Sequence, residues 1–170
     1  LLAPAGGGGD PYWANVVSLM HFDGANGSTT FTDEKGRSWS RNGSTTVIST
    51  AQSKFGGSSL YVGNTRGAGT SNGLYTASSS DFDYGTGDFT IEWWQYLTNT
   101  SDNQCLLSRG GFGSAGSMLI QKDPSEVVAY IGPSKVLSES MPTVNVWQHN
   151  AFCRESGTVR KYRDGVQTYT

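Results

Sequence analysis

The sequence predicts an all-β chain, a two-sheet antiparallel β-sandwich of jelly-roll type, on three observations. Gly, Ser, Thr and Asn make up roughly two-fifths of the 170 residues, against 35% hydrophobic and 15% charged. Gly weakens helices through backbone entropy, and Ser, Thr and Asn offer the backbone competing hydrogen bonds. The aromatic content is 12%, with five Trp, eight Tyr and seven Phe, and the net charge is only -2. That is enough apolar bulk for a packed core and too little self-repulsion for disorder. Finally, short apolar runs alternate with period two and end at Gly, Asn or Asp, while no window sustains a 3.6-residue period.

Residues 1–11 read as a Gly-rich tether, because Gly6 to Gly9 have no side chains to bury. The folded domain is expected over residues 12–170. Val16 to Phe22 is a dense apolar run stopped by Asp23-Gly24, the form of a strand closed by a turn. Thr29 to Thr32, Ser38 to Ser40, Val47-Ile48 and Ser59 to Val62 follow as short strands fenced by Gly or Asn. The strongest strand is Phe89 to Leu97, where Phe89, Ile91 and Trp93 share one face and Trp94 and Tyr96 the other. Cys105 to Ser108, Ser117 to Ile120, Val127 to Ile131 and Trp147 to Cys153 continue the series. Val159 to Arg163 turns at Asp164-Gly165 into Val166 to Tyr169, and Asp-Gly between alternating runs is the strongest short hairpin signal.

Several function classes are excluded by the bulk numbers. Charges of both signs are interspersed, so no basic face awaits a nucleic-acid backbone. The densest cationic stretch, Arg154 to Arg163, contains Glu155 and reads as a solvated strand face. No apolar run approaches the ~20 residues of a membrane span, so membrane insertion is not expected. Cys105 and Cys153 lie in apolar runs without metal-ligand spacing and are expected as small buried hydrophobes.

Gly111 to Gly116 spells a dinucleotide fingerprint, but the residues after it read as strand rather than helix, which leaves a Gly-rich loop. No nucleophile elbow is present, and His21 and His149 read as packed histidines, each with one satisfied nitrogen. A retaining glycosidase needs two carboxyl groups ~5 Å apart. Glu92 has Tyr96 at i+4, and Asp33-Glu34 point apart if extended, so no catalytic residues are assigned and the chain is expected not to be an enzyme. No protein-bound metal or cofactor is assigned. Asp81, Asp83 and Asp88 surround Gly85-Thr86-Gly87 and read as a self-capping turn, with a calcium ion held by the same oxygens left open. Aromatic rings on an open sheet can stack on the apolar face of a sugar. Trp94 and Tyr96 are the candidate platform, with polar groups from Asp102, Asn103 and Gln104.

Four ordered blocks then carry a resemblance. Asn15 to Asp33 resembles the opening of concanavalin A-like, laminin-G-type jelly-roll domains of the kind found in bacteriophage virion and tail proteins. Thr50 to Leu60 is similar to their second block, Asp81 to Trp94 to the third, and Trp147 to Gly165 to the fourth. The resemblance implies a non-enzymatic module on the virion surface for decoration or adhesion. Its partners would be other virion proteins and host-surface or environmental glycans, with homo-oligomerisation left open. A structural packing domain of capsid or tail, or a glycoside hydrolase on the same fold, are the alternatives. Asn150 stands where the family usually places an aliphatic residue, implying a locally altered core or a partner for that amide. The family also continues past the Asp164-Gly165 hairpin. The resemblance therefore implies that this domain lacks its last strands, that the chain is part of a longer virion protein, and that Val16 to Phe22 presents an apolar edge.

Overall fold

A computed structural model describes residues 10–63 and 72–170. Among these residues there are thirteen strands, all paired antiparallel, two short 3-10 turns (Trp13–Asn15 and Ser80–Phe82) and no α-helix. The all-β expectation holds. The tether read over residues 1–11 falls, apart from Asp10 and Pro11, outside the described residues. The chain divides into two compact units, residues 1–80 and 81–170.

The first unit contains β1 (Phe31–Thr32), β2 (Ser38–Asn42), β3 (Thr46–Ser49), β4 (Ser59–Val62) and β5 (Gly73–Tyr75). One sheet has the order β1-β2-β5, and β3 and β4 form a separate hairpin. Phe31 and Ile48 are buried, as their alternating runs require. The expected strand over Val16 to Phe22 is absent. Phe22 adopts φ 60, which breaks an extended path. The segment is instead held by scattered bonds: Glu34 N–H donates to the Leu19 carbonyl (2.9 Å) and the buried Ser58 hydroxyl donates to the Phe22 carbonyl (3.0 Å). Apolar density predicted a strand there, but scattered backbone and side-chain bonds rather than a neighbouring strand hold a segment that is only half-buried.

Asp33 organises the β1–β2 turn. Its Oδ1 accepts from the backbone N–H of Arg37 (2.8 Å) and Lys35 (3.0 Å), and its Oδ2 from the hydroxyl of Ser18 (2.6 Å) and the indole of Trp39 (3.2 Å). Burial alone would raise this carboxyl, but the four donors outweigh burial and hold it below the ordinary carboxylate value.

The second unit is the β-sandwich. Its strands are β6 (Phe89–Tyr96), β7 (Gln104–Arg109), β8 (Met118–Lys122), β9 (Glu126–Ile131), β10 (Ser134–Ser140), β11 (Trp147–Glu155), β12 (Thr158–Arg163) and β13 (Val166–Tyr169). One sheet runs β10-β9-β8-β7 and the other β13-β12-β11-β6. Met118, Ile120, Val127, Ala129 and Leu137 from the first meet Phe152 from the second in a common core, with Phe89, Ile91, Trp93 and Val159 packed against it. Thus Phe89, Ile91 and Trp93 share the inward face that their alternation predicts.

The fingerprint-like Gly111 to Gly116 is the loop between β7 and β8, followed by strand, and Phe112 in it meets the Tyr130 ring edge-on at 5.1 Å. Both cysteines are free thiols, but Cys105 is exposed and Cys153 half-buried, against the expectation of burial. A register shift between Cys105 and Leu107 turns Cys105 to the side away from the core. The cationic stretch is also corrected: period-two alternation sends Lys161, 1% exposed, into the interior rather than to solvent.

Candidate functional site: an aromatic face on the β6–β11–β12 sheet

The register of β6 against β11 pairs Trp147 with Tyr96, His149 with Trp94 and Ala151 with Glu92. Directly opposed residues of an antiparallel pair share a face. All six therefore lie on the side opposite the core, where β12 adds Tyr162 opposite Ala151 and Arg160 opposite Cys153. The Trp94 and His149 rings stand 5.1 Å apart at 44°, and those of Tyr96 and Trp147 5.6 Å apart at 55°. Trp94 is 38% exposed and Tyr96 half-buried. Two aromatic pairs thus sit side by side on the same two strands. Their spacing within the sheet is set by β-strand geometry rather than by loops.

Polar groups flank the rings. His149 Nε2 is 3.2 Å from Glu92 Oε2, and the Glu92 side chain is 65% exposed. The His149 backbone is fixed by Asp164, whose Oδ1 accepts from the His149 N–H (2.9 Å) and whose own N–H donates to the His149 carbonyl (2.9 Å). The pairing of β11 with β12 therefore locks where the imidazole can go.

Of the residues singled out in the sequence, Trp94 and Tyr96 share this face. Asp102 and Asn103 lie in the β6–β7 connection and Gln104 opens β7 in the other sheet, opposite Lys122. The Asp102 carbonyl accepts from the buried Lys122 ammonium, so that residue is committed at its backbone to closing the core. Trp147, His149, Tyr162 and Glu92 belong to the face without having been assigned to it. Their signal was the shared parity of Trp147 and His149 on one strand; which β6 residues they oppose is a matter of register, which the sequence does not display.

The Asp-rich loop serves a guanidinium. Arg154 donates through Nε to the Gly87 carbonyl (2.8 Å) and through its terminal nitrogen to the carbonyls of Gly85 (2.9 Å) and Tyr84 (3.1 Å). Asp88 Oδ1 accepts from the Ser156 N–H (2.9 Å), and Asp83 pairs with Arg109. A calcium ion here would compete with Arg154 for the same carbonyl oxygens. Among the described residues, no group of three or more His, Cys, Asp or Glu side chains is arranged to hold a metal ion.

In the first unit, His21 Nδ1 lies 3.3 Å from Glu34 Oε1 at a depression of about 110 Å³. Drug-sized ligands occupy pockets of roughly 300 Å³ and more. The depression is too small to rival the aromatic face.

A search of curated proteins and a search of solved structures each give no match. A family model described as the concanavalin A-like lectin/glucanases superfamily matches residues 67–170, which include every strand of the sandwich and the whole aromatic face. Fold, strand pairing and that match agree, and the chain belongs to the concanavalin A-like lectin/glucanase superfamily.

Proposed function

We propose that the chain is a non-enzymatic carbohydrate-binding module, carried on the surface of a bacteriophage particle for adhesion or decoration. The observation that carries the glycan reading is the pair of aromatic couples on one sheet face, Trp94 with His149 and Tyr96 with Trp147. A sugar ring laid over Trp94 would bury its apolar face while its hydroxyls reach Glu92 and the neighbouring imidazole. Glu92 faces a histidine rather than a second carboxylate, which favours binding over hydrolysis. The particle assignment rests on the resemblance of the four sequence blocks to phage virion and tail proteins, and with it the neighbouring virion proteins and host-surface glycans as partners.

A glycan array followed by calorimetry tests the site. Trp94→Ala is expected to weaken binding about tenfold or more, equivalent to ~1.4 kcal/mol. Phe112→Ala, an exposed ring on the other sheet's loop, should leave affinity unchanged. Equal affinity of wild type and Trp94→Ala would remove the site. Turnover of a β-glucan panel would replace the binding module with an enzyme.

A further inference from the structure

Inside the sandwich, three polar side chains meet that the aromatic face does not use. Lys161 and Asn150 are each 1% exposed and Glu139 is 8% exposed. The β11–β12 register pairs Phe152 with Lys161 and Asn150 with Arg163, so Asn150 and Lys161 lie diagonally on the inward face. Lys161 Nζ donates to Asn150 Oδ1 at 2.7 Å and stands 2.9 Å from Glu139 Oε1. Glu139 reaches in from β10, on the opposite sheet. Its Oε2 accepts from the Thr168 hydroxyl (2.6 Å), and Arg163 is 2.9 Å from its Oε1. The Asn150 amide nitrogen is turned away from the lysine and donates to the Gln148 carbonyl (3.3 Å). The Trp93 ring, 5.8 Å from Nζ, and the fully buried Phe152 complete an apolar surround.

As a device for stability alone this cluster is poor. Apolar side chains of the same volume would serve as well. Among the described residues, Gln148 Oε1 and Arg163 Nε are buried beside it without a hydrogen-bond partner. As a reaction site it is well composed. An amine held against a carboxamide, with a carboxylate touching the amine and water excluded, is a nucleophile, an electrophile and a proton carrier in fixed register. Burial pushes the Lys161 ammonium down despite the opposing pull of Glu139, which favours the neutral, nucleophilic amine.

We propose that Lys161 and Asn150 become joined by an intramolecular amide cross-link, with Glu139 as the proton carrier. Glu139 takes a proton from the Lys161 ammonium, and the neutral Nζ attacks Asn150 Cγ. The Nζ–Cγ bond forms as the carbonyl electron pair moves onto Oδ1. A proton passes from Nζ through the Glu139 carboxyl to Nδ2. The carbonyl then re-forms as the Cγ–Nδ2 bond breaks and ammonia leaves. One amine and one primary amide give one secondary amide and one ammonia, so no oxidant or second reactant is needed. The product ties β11 to β12 behind the aromatic face.

Intact mass measurement on the full chain, folded and then denatured, tests the proposal. The expected mass is below the sequence mass by one ammonia. A digest should contain a branched peptide carrying Asn150 and Lys161. Three Asn-Gly pairs, at Asn26, Asn42 and Asn72, can also lose ammonia by succinimide formation. Lys161→Met separates the two: the cross-link deficit disappears in it and a succinimide deficit does not. Glu139→Gln, with its strand content checked by circular dichroism, should fold without the branched peptide. Asn150→Asp should cross-link with loss of water in place of ammonia. A full sequence mass, or a deficit that survives Lys161→Met with no branched peptide, overturns the proposal. Undiminished linkage in folded Glu139→Gln overturns the role of that carboxylate.

Discussion

Asp33 gathers two backbone amides, a hydroxyl and an indole onto two oxygens while nine-tenths buried or more. Its folded-state carboxyl titrates below the unfolded one. The stability it contributes is therefore complete above the unfolded value, about 4, and is lost as pH falls through the lower folded value. Asp33→Ala strands several buried donors and should cost about 2–3 kcal/mol near neutral pH. Urea melts of both proteins from neutral to acid pH check this: the two stabilities should converge below the carboxylate range. A gap that persists unchanged in acid would locate the effect elsewhere. In the sequence Asp33 reads only as a carboxylate pointing away from Glu34; its four donors come from Ser18, Lys35, Arg37 and Trp39, and the Ser18 contact is a product of folding. Asn150 is the contrasting case. The family resemblance marked it as a polar residue in an aliphatic place, implying an altered core or a partner, and Lys161, expected in solvent, supplies a partner from the next strand.

At the scale of elements, strands with clear alternation were legible and strands defined by their neighbours were not. Phe89 to Tyr96, Ser59 to Val62 and Val166 to Tyr169 fall within a residue of where their patterns place them. β10 was missed because its sequence, Ser134 to Ser140, is that of a polar edge strand; only Leu137 and Glu139 are buried, and Glu139 is charged. β5, three residues long, exists only through its pairing with β2. Val16 to Phe22 shows the reverse error, since apolar content does not by itself supply a hydrogen-bonded neighbour, and the segment is only half-buried. The Asp164-Gly165 turn is the most secure local signal, with φ values of 50 and 79 at its two positions. Gly165→Val forces a β-branched side chain into that region and should cost about 1–2 kcal/mol. The same change should loosen Asp164 from the His149 backbone. Thermal unfolding together with the His149 amide chemical shift would check both effects. An unaltered melting temperature would show that the turn relaxes to another type.

For the molecule as a whole, the proposed glycan reading makes the distribution of charge decide which sugars the aromatic face would accept. The net charge is -2, and the densest cationic stretch is spent on internal contacts. Arg154 bonds loop carbonyls, Arg160 pairs with Glu155 at 3.0 Å, Lys161 is buried, and Arg163 bonds Glu139 and the Ser140 carbonyl. That disposition could not be read from composition, which counts charges without saying which face they leave by. Beside the rings stands Glu92, the exposed carboxylate of the face. On the proposed reading Glu92 would disfavour anionic sugars, and attraction would rest on stacking and neutral hydrogen bonds. Exposed charges separated by more than a Debye length of ~8 Å are screened at physiological salt, whereas stacking is not. A neutral oligosaccharide should then bind with an affinity that changes less than about twofold from low to high salt, because no condensed counterions are released. Sulfated or sialylated analogues of the same sugar should bind more weakly at low salt and approach the neutral one as salt rises. Glu92→Lys should reverse that order and also weaken the neutral ligand, which loses the hydroxyl contact to the carboxylate. Calorimetry of the neutral and charged sugars across a salt series measures all three effects. Preferential binding of the anionic sugar by the wild-type chain would move the site off this face.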